Sequence, residues 1–390
     1  MAAQVSVRDY RVDVPQRELE TLRERLLHTR WPDPETADGW NQGLPLAYAQ
    51  ELAAYWASTY DWRRAEAELN VYQQHLVDID LDGTSAAVHC LHIRSKESQA
   101  RPLLLTHGWP GSIFEFMKVA DRLVDPEAYG GRAEQAFHLV IPSLPGYGFS
   151  SKPTATGTNV ERIADLWNAL MLALDYDRYF AQGGDWGSMV TSHLALRHPR
   201  HCAGIHLNMV VARPDPKTLT ELSPVEESAV AARNHYAKWE TGYSKIQSTR
   251  PQTLAYGLAD SPVGQLCWIV EKFWAWTDCE KAGVRHPENV LTKDELLDNV
   301  TLYWLTNSAA SSARLYWESF HQPNLDPIYI PAGGSVFPKD IFLSSERWAR
   351  GRFKNLVFWR EHERGGHFAA LEQPEAFTRD LRECFARMSL

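Results

Sequence analysis

Apolar positions recur along the chain in two rhythms. Over residues 15–30 the period is helical: Leu19, Leu22 and Leu26 share one face, Arg and Glu hold the other, and Trp31-Pro32-Asp33-Pro34 ends the run. A second helix is expected over 46–56. Across 76–93 the period shortens, with Val77, Ile79 and Leu81 alternating ahead of Asp82-Gly83-Thr84, which predicts a hairpin. Residues 1–96 carry no signature of chemistry and read as a cover segment packing on a core.

Short unbroken apolar runs follow at 102–106, 139–141 and 179–181, separated by helical stretches over 113–123 and 159–174, with a further helix over 189–196. Such alternation predicts an α/β fold with a mostly parallel sheet covered on both faces, residues 97–204 forming its first part. Residues 205–325 lack a parallel-strand run and are rich in Trp and Tyr at helical spacing, as expected of an inserted helical cap (a lid). The strand pattern resumes at 328–334 and 356–359, and a helix over 374–388 closes the chain, so 326–390 complete the core. Ligands of such sheets gather at the carboxyl ends of the strands, where three Gly-rich turns fall.

Composition narrows the classes. A hydrophobic fraction of 44% supports a sizeable core in a 390-residue chain, and a net charge of −9 argues against nucleic acid as a partner. The five cysteines are odd in number and form no Cys-x-x-Cys pair, so neither a disulfide framework nor a metal site is implied. The N-terminus has no apolar signal region and no 18-residue apolar run occurs, which sets the expectation of a cytoplasmic protein with no membrane partner.

The chemistry centres on Gln182-Gly183-Gly184-Asp185-Trp186-Gly187-Ser188, between a strand and a helix. That arrangement predicts a nucleophile elbow, with small residues flanking an exposed apex because strand and helix backbones pass closely. The apex is Asp185. A carboxylate attacks carbon directly and leaves an alkyl ester on the enzyme, which restricts the substrate to an electrophilic sp³ carbon, as in an epoxide or alkyl halide. The bland alternative is a turn in which Asp caps the helix. Ser188 lies beyond the apex.

Hydrolysis of the ester needs a base, which in these folds follows the nucleophile and an acid. His367, in Gly365-Gly366-His367-Phe368, follows the last strand by a short loop; His362 is nearer that strand but lacks the glycine setting. Asp340 is the expected orienting acid, with Glu361 and Glu363 behind it and a capping role at a helix from Ile341 as the alternative. Backbone N–H groups of Trp109 and Trp186 are placed to hold the oxyanion.

His107-Gly108-Trp109-Pro110, Gly184-Asp185-Trp186-Gly187 and Gly365-Gly366-His367-Phe368-Ala369-Ala370 resemble the motifs of the microsomal-type epoxide hydrolases, a branch of the α/β-hydrolase fold. The resemblance spans nearly the whole chain and is to a soluble bacterial-type member. Phe337-Pro338-Lys339-Asp340 is similar to the family's acid motif, where mammalian members carry Glu. It implies a pair of cap tyrosines that protonate the epoxide oxygen, matched here by Tyr243 and Tyr316, with Tyr303 and Tyr256 as rivals. The implied activity is cofactor-free conversion of an epoxide to a vicinal diol, in detoxification or natural-product biosynthesis. The partners are then a small-molecule epoxide and water, with a homodimer left open. The alternatives are a haloalkane or haloacid dehalogenase using the same Asp, which would need halide-binding donors such as Trp, and a non-catalytic hydrolase-fold binding module.

Overall fold

The computed structural model describes residues 4–320 and 324–390. Its first third carries β1 (Gln4–Tyr10), helices α1 (Gln16–Leu27), α2 (Leu46–Ser58) and α3 (Trp62–Leu69), and the hairpin β2 (Gln74–Leu81) and β3 (Thr84–Ile93). The next stretch alternates β4 (Arg101–Thr106), α4 (Met117–Val124), β5 (Phe137–Pro142), α5 (Val160–Ala173), β6 (Tyr179–Gly183), α6 (Asp185–Arg197) and β7 (Cys202–Leu207). These strands join β10 (Ala332–Val336) and β11 (Leu356–Glu361) in one nine-stranded sheet of order β1-β2-β3-β5-β4-β6-β7-β10-β11. From β5 to β11 every pairing is parallel, while β1, β2 and β3 extend the sheet antiparallel. Leu104 and Val140 enter one hydrophobic core and Leu103, Leu105, Leu139 and Ile141 the other, so both faces are buried, as unbroken apolar runs require.

The cap holds α7 (Pro224–His235), α8 (Gly242–Thr249), α9 (Pro251–Asp260), α10 (Pro262–Trp276), a ribbon of β8 (Glu280–Lys281) with β9 (Val284–Arg285), α11 (Lys293–Leu305) and α12 (Ala309–Ser319). After it, α13 (Glu346–Arg352) lies between β10 and β11, and α14 (Ala369–Glu372) and α15 (Pro374–Ala386) end the fold.

Three expectations need correction. Residues 1–96 do not merely cover the core: they supply three strands of its sheet, and their helices clamp the cap. Trp40 stacks on Trp274 with centroids 4.9 Å apart, and the hydroxyls of Tyr55 and Tyr60 donate to Asp294 and Asp298. The expected start of the cap at residue 205 cuts through β7, because the buried His206 interrupts the apolar run that would have marked the strand. The strand expected over 328–334 begins later: Ile328 makes only a bridge to Phe353, and the strand is Ala332-Gly333-Gly334-Ser335-Val336, whose glycines press against Cys384 and Trp359. Among the described residues no helix is long and apolar enough to cross a membrane.

Backbone closeness at the start of α6 sets the tolerance of the fold. A Cβ on Gly187 would overlap the Thr106 carbonyl oxygen of β4. Gly187→Ala is therefore expected to cost about 1–3 kcal/mol of stability through overpacking, read as a lowered midpoint in urea unfolding. An unchanged midpoint would mean that helix and strand are not in backbone contact.

Candidate active site

Strand β6 delivers the chain to Gly184, and α6 begins at Asp185, whose φ of +49° lies in the left-handed region that a non-glycine residue rarely occupies. That strain turns the carboxylate out of the helix start. A Cβ on Gly108 would overlap the Asp185 carboxyl, so the loop after β4 lies directly against that carboxylate. From that loop the Trp109 N–H donates to Asp185 Oδ1 at 2.8 Å. The Trp186 N–H belongs to the first turn of α6, whose amides have no acceptor within the helix. Ser188 is fully buried and donates to the Met209 carbonyl, so it is a packing residue.

His367 lies in the loop between β11 and α14, and its ring joins the two carboxylates. Nδ1–H donates to Asp340 Oδ1 at 2.7 Å, while Nε2 stands 3.3 Å from Asp185 Oδ2. Burial works to lower the pKa of this imidazole, but the charges of Asp340 and Asp185 and the hydrogen bonds to them more than offset it and hold it well above the ordinary value. No helix starts at Ile341; its amide donates to the same Asp340 Oδ1 at 2.7 Å, so the carboxylate holds the His367 ring and fixes its own loop. Glu361 and Glu363 are exposed, and His362 is engaged by Asp380 at 2.6 Å and stacked on Phe337. His107 shapes the loop around Trp109. Its Nε2 accepts from the Leu144 amide, which leaves Nδ1–H to donate to the Gly108 carbonyl, and burial pulls its pKa down to about 4.

The cap contributes Tyr243 from α8 and Tyr316 from α12, both buried and with ring centroids 5.7 Å apart. Their rings rest on the tryptophans of the two core turns. Trp109 stacks on Tyr243 at 5.0 Å, and Trp186 meets Tyr316 edge-on at 4.8 Å. Burial pushes both hydroxyls well above the ordinary tyrosine range, so both are protonated. Tyr303 donates to the Gly111 carbonyl at 2.8 Å and Tyr256 is exposed, so neither rival is a free donor at the site. A cavity of about 410 Å³ takes in Asp185, Trp186, Tyr243 and Tyr316, and its remaining wall is largely apolar, with Met189, Met209, Val211, Phe320 and Phe342.

Three neighbours carry no sequence signal. Tyr236 lines this cavity with its hydroxyl 2.9 Å from that of Tyr243. The Glu115 carboxyl is pushed up to about 8 by burial, with the His367 charge opposing and the Asp185 charge reinforcing the shift. Glu372 accepts from the amides of Asp278 at 2.8 Å and Phe368 at 3.1 Å, and burial pushes it up to about 7.

Residues 7–116 match the family described as the epoxide hydrolase N terminus, and residues 101–245 match that of the alpha/beta hydrolase fold. A protein of Stigmatella aurantiaca named "Putative epoxide hydrolase" is 50% identical over 97% of this chain and 84% of its own. Epoxide hydrolase 1 of Sus scrofa is 33% identical over 97% of this chain and 88% of its own. The solved structure of the Aspergillus niger epoxide hydrolase superposes with a TM-score of 0.87 at 32% identity, covering 100% of this chain and 98% of that one.

The charge pairing at His367 has a measurable consequence. In Asp185→Asn the ring loses one of the carboxylates that raise its pKa, so its NMR titration should move to lower pH than in the wild type. The sign for stability follows: this ion pairing is complete below the free-histidine value near 6.5 and is lost as pH rises through the elevated pKa. An unshifted titration in Asp185→Asn would show that the Asp185–His367 pair does not form.

Proposed function

The chain belongs to the epoxide hydrolases, and from that premise we propose how its residues divide the reaction. Asp185 is the nucleophile. Its Oδ1 stays with the Trp109 amide, and its Oδ2 bonds a ring carbon of the epoxide as the C–O bond opens. Tyr243 and Tyr316 bind the epoxide oxygen, and one of them protonates it, because an unprotonated alkoxide is a poor leaving group. His367, oriented by Asp340, then takes a proton from water, which attacks the ester carbonyl. The oxyanion falls on Oδ1, between the amides of Trp109 and Trp186. Each such donor is typically worth about 10²–10³ in rate.

The observation that carries this reading is that one carboxylate, Asp185, meets a backbone donor at Oδ1 and an imidazole at Oδ2 beneath two protonated phenols. It also explains the order of events. In the resting site the charges of Asp340 and Asp185 together keep His367 protonated and unable to act as a base. Ester formation removes the Asp185 charge, the His367 pKa falls, and the base becomes available when it is needed. No cofactor enters the scheme; the partners are the epoxide and water. A cytoplasmic location accords with five cysteines that are all free.

His367→Gln is expected to leave alkylation largely intact and slow ester hydrolysis by about 10³-fold or more. Intact-protein mass should then rise by one epoxide, with the adduct on the peptide containing Asp185; normal turnover in this variant would remove His367 from the mechanism. Tyr243→Phe and Tyr316→Phe should each lower the single-turnover alkylation rate, by about 10²-fold if each supplies general-acid assistance, and the double change should nearly abolish it. Wild-type alkylation in both single variants would place the donors elsewhere.

A further inference from the structure

The scheme leaves one proton unaccounted for. Opening the ring turns a phenol into a phenolate, and Tyr243 and Tyr316 are only 5% and 2% exposed, so neither recovers its proton directly from solvent. Tyr236 differs. Its side chain is partly exposed, it lines the same cavity, and its hydroxyl is 2.9 Å from that of Tyr243. It opens a π-helical turn, Tyr236–Glu240, between α7 and α8. Such wide turns are rare and cluster at functional sites. Here the turn and the break at Thr241 redirect the chain so that phenols seven residues apart meet hydroxyl to hydroxyl.

We propose that Tyr236 is the proton-return residue of the site, passing its hydroxyl proton to the Tyr243 phenolate after ring opening and regaining one from solvent. The proposal rests on the roles given above for Asp185 and Tyr243. The protons and charges balance. Asp185 Oδ2 bonds the ring carbon, the epoxide C–O bond breaks, and the alkoxide takes the Tyr243 proton. Tyr236 restores Tyr243 and takes up one proton from solvent. The His367 imidazolium of the resting site releases one to solvent and becomes the base. It then accepts a proton from the attacking water and hands it to the diol oxygen as the ester C–O bond breaks. The proton left on the Asp185 carboxyl returns to His367, restoring the resting ion pair. Uptake at Tyr236 equals release at His367, and the sum is epoxide plus water to diol.

The direction of transfer is favourable. Burial raises all three hydroxyls, Tyr236 to about 12, and the hydrogen bond between Tyr236 and Tyr243 lowers the first while raising the second. Negative charge therefore costs less on the partly exposed phenol than on the sealed one.

Tyr236→Phe removes the hydroxyl and keeps the ring. In rapid mixing, alkylation in the first turnover should stay within about two-fold of wild type, because Tyr243 begins protonated, while steady-state turnover should fall at least about ten-fold, the scale of a lost proton-transfer group. The slow phase should accelerate with added imidazole buffer and show a larger solvent deuterium effect than wild type. Tyr236→His, which restores a titratable group, should recover turnover. Steady-state turnover equal to wild type in Tyr236→Phe would overturn the proposal, since the proton would then come from elsewhere, for instance from His367 across the cavity. First-turnover and steady-state rates falling together, without a buffer response, would also overturn it and leave Tyr236 as a holder of Tyr243. Failure of the underlying scheme reads differently: no adduct would form on Asp185 in His367→Gln.

Discussion

Two carboxylates share one imidazole in a place nearly closed to water, and the rest of the molecule is arranged to make that tolerable. An isolated buried charge is costly unless paired and hydrogen-bonded. Asp185 has the Trp109 amide and His367; Asp340 has His367 and the Ile341 amide. Each partner comes from a loop at the carboxyl edge of a different strand, so the charges hold only if β4, β6, β10 and β11 keep their register. The strand pairings fix that register by backbone bonds, and small residues let the loops approach.

The cap is tied into the same arrangement. Asn299 and Tyr303 on α11 donate to the carbonyls of Pro110 and Gly111, immediately after the oxyanion loop. At the other side, the His367 amide donates to the Trp276 carbonyl at the end of α10, and Glu372 accepts from Asp278. The rings of Trp109 and Trp186 seat the two phenols, and Trp109 also turns its backbone N–H to the Asp185 carboxylate. Displacing either ring would move a phenol that lines the Asp185 cavity, so the cap and the two core turns are geometrically coupled through two residues.

What could be read from the sequence was local. The elbow, the turn of Trp109 and the glycine-flanked His367 announce themselves because close backbone approach restricts the residues nearby, and Asp340 follows from chain order. What could not be read depends on distant partners. Strand β1 exposes most of its side chains and carries Arg8 and Asp9, so no apolar run betrays it. Strand β10 is Ala-Gly-Gly-Ser-Val and resembles a turn, since its small residues make room for Cys384 and Trp359. Tyr236 and Glu115 look like any surface tyrosine and helix glutamate until the fold brings the first to the cavity and the second within reach of the charges of His367 and Asp185. Cap tyrosines in general are ambiguous: Tyr303 has found a carbonyl, whereas Tyr243 lines the cavity and meets another phenol.

The double attachment of the N-terminal segment bears on how the chain comes together. Strands β2 and β3 pair early with neighbours close in sequence, yet Tyr55 and Tyr60 meet their acceptors on α11 across 239 and 238 residues. Contacts so remote must wait for the loop between them to close, which slows folding. During synthesis α1 and α2 emerge together and can pack on each other, but the faces that α1, α2 and α3 turn toward α10 and α11 stay open until most of the chain is made. The segment that is born first is thus among the last to be seated, and the interval before the cap arrives is when this protein is most vulnerable to aggregation.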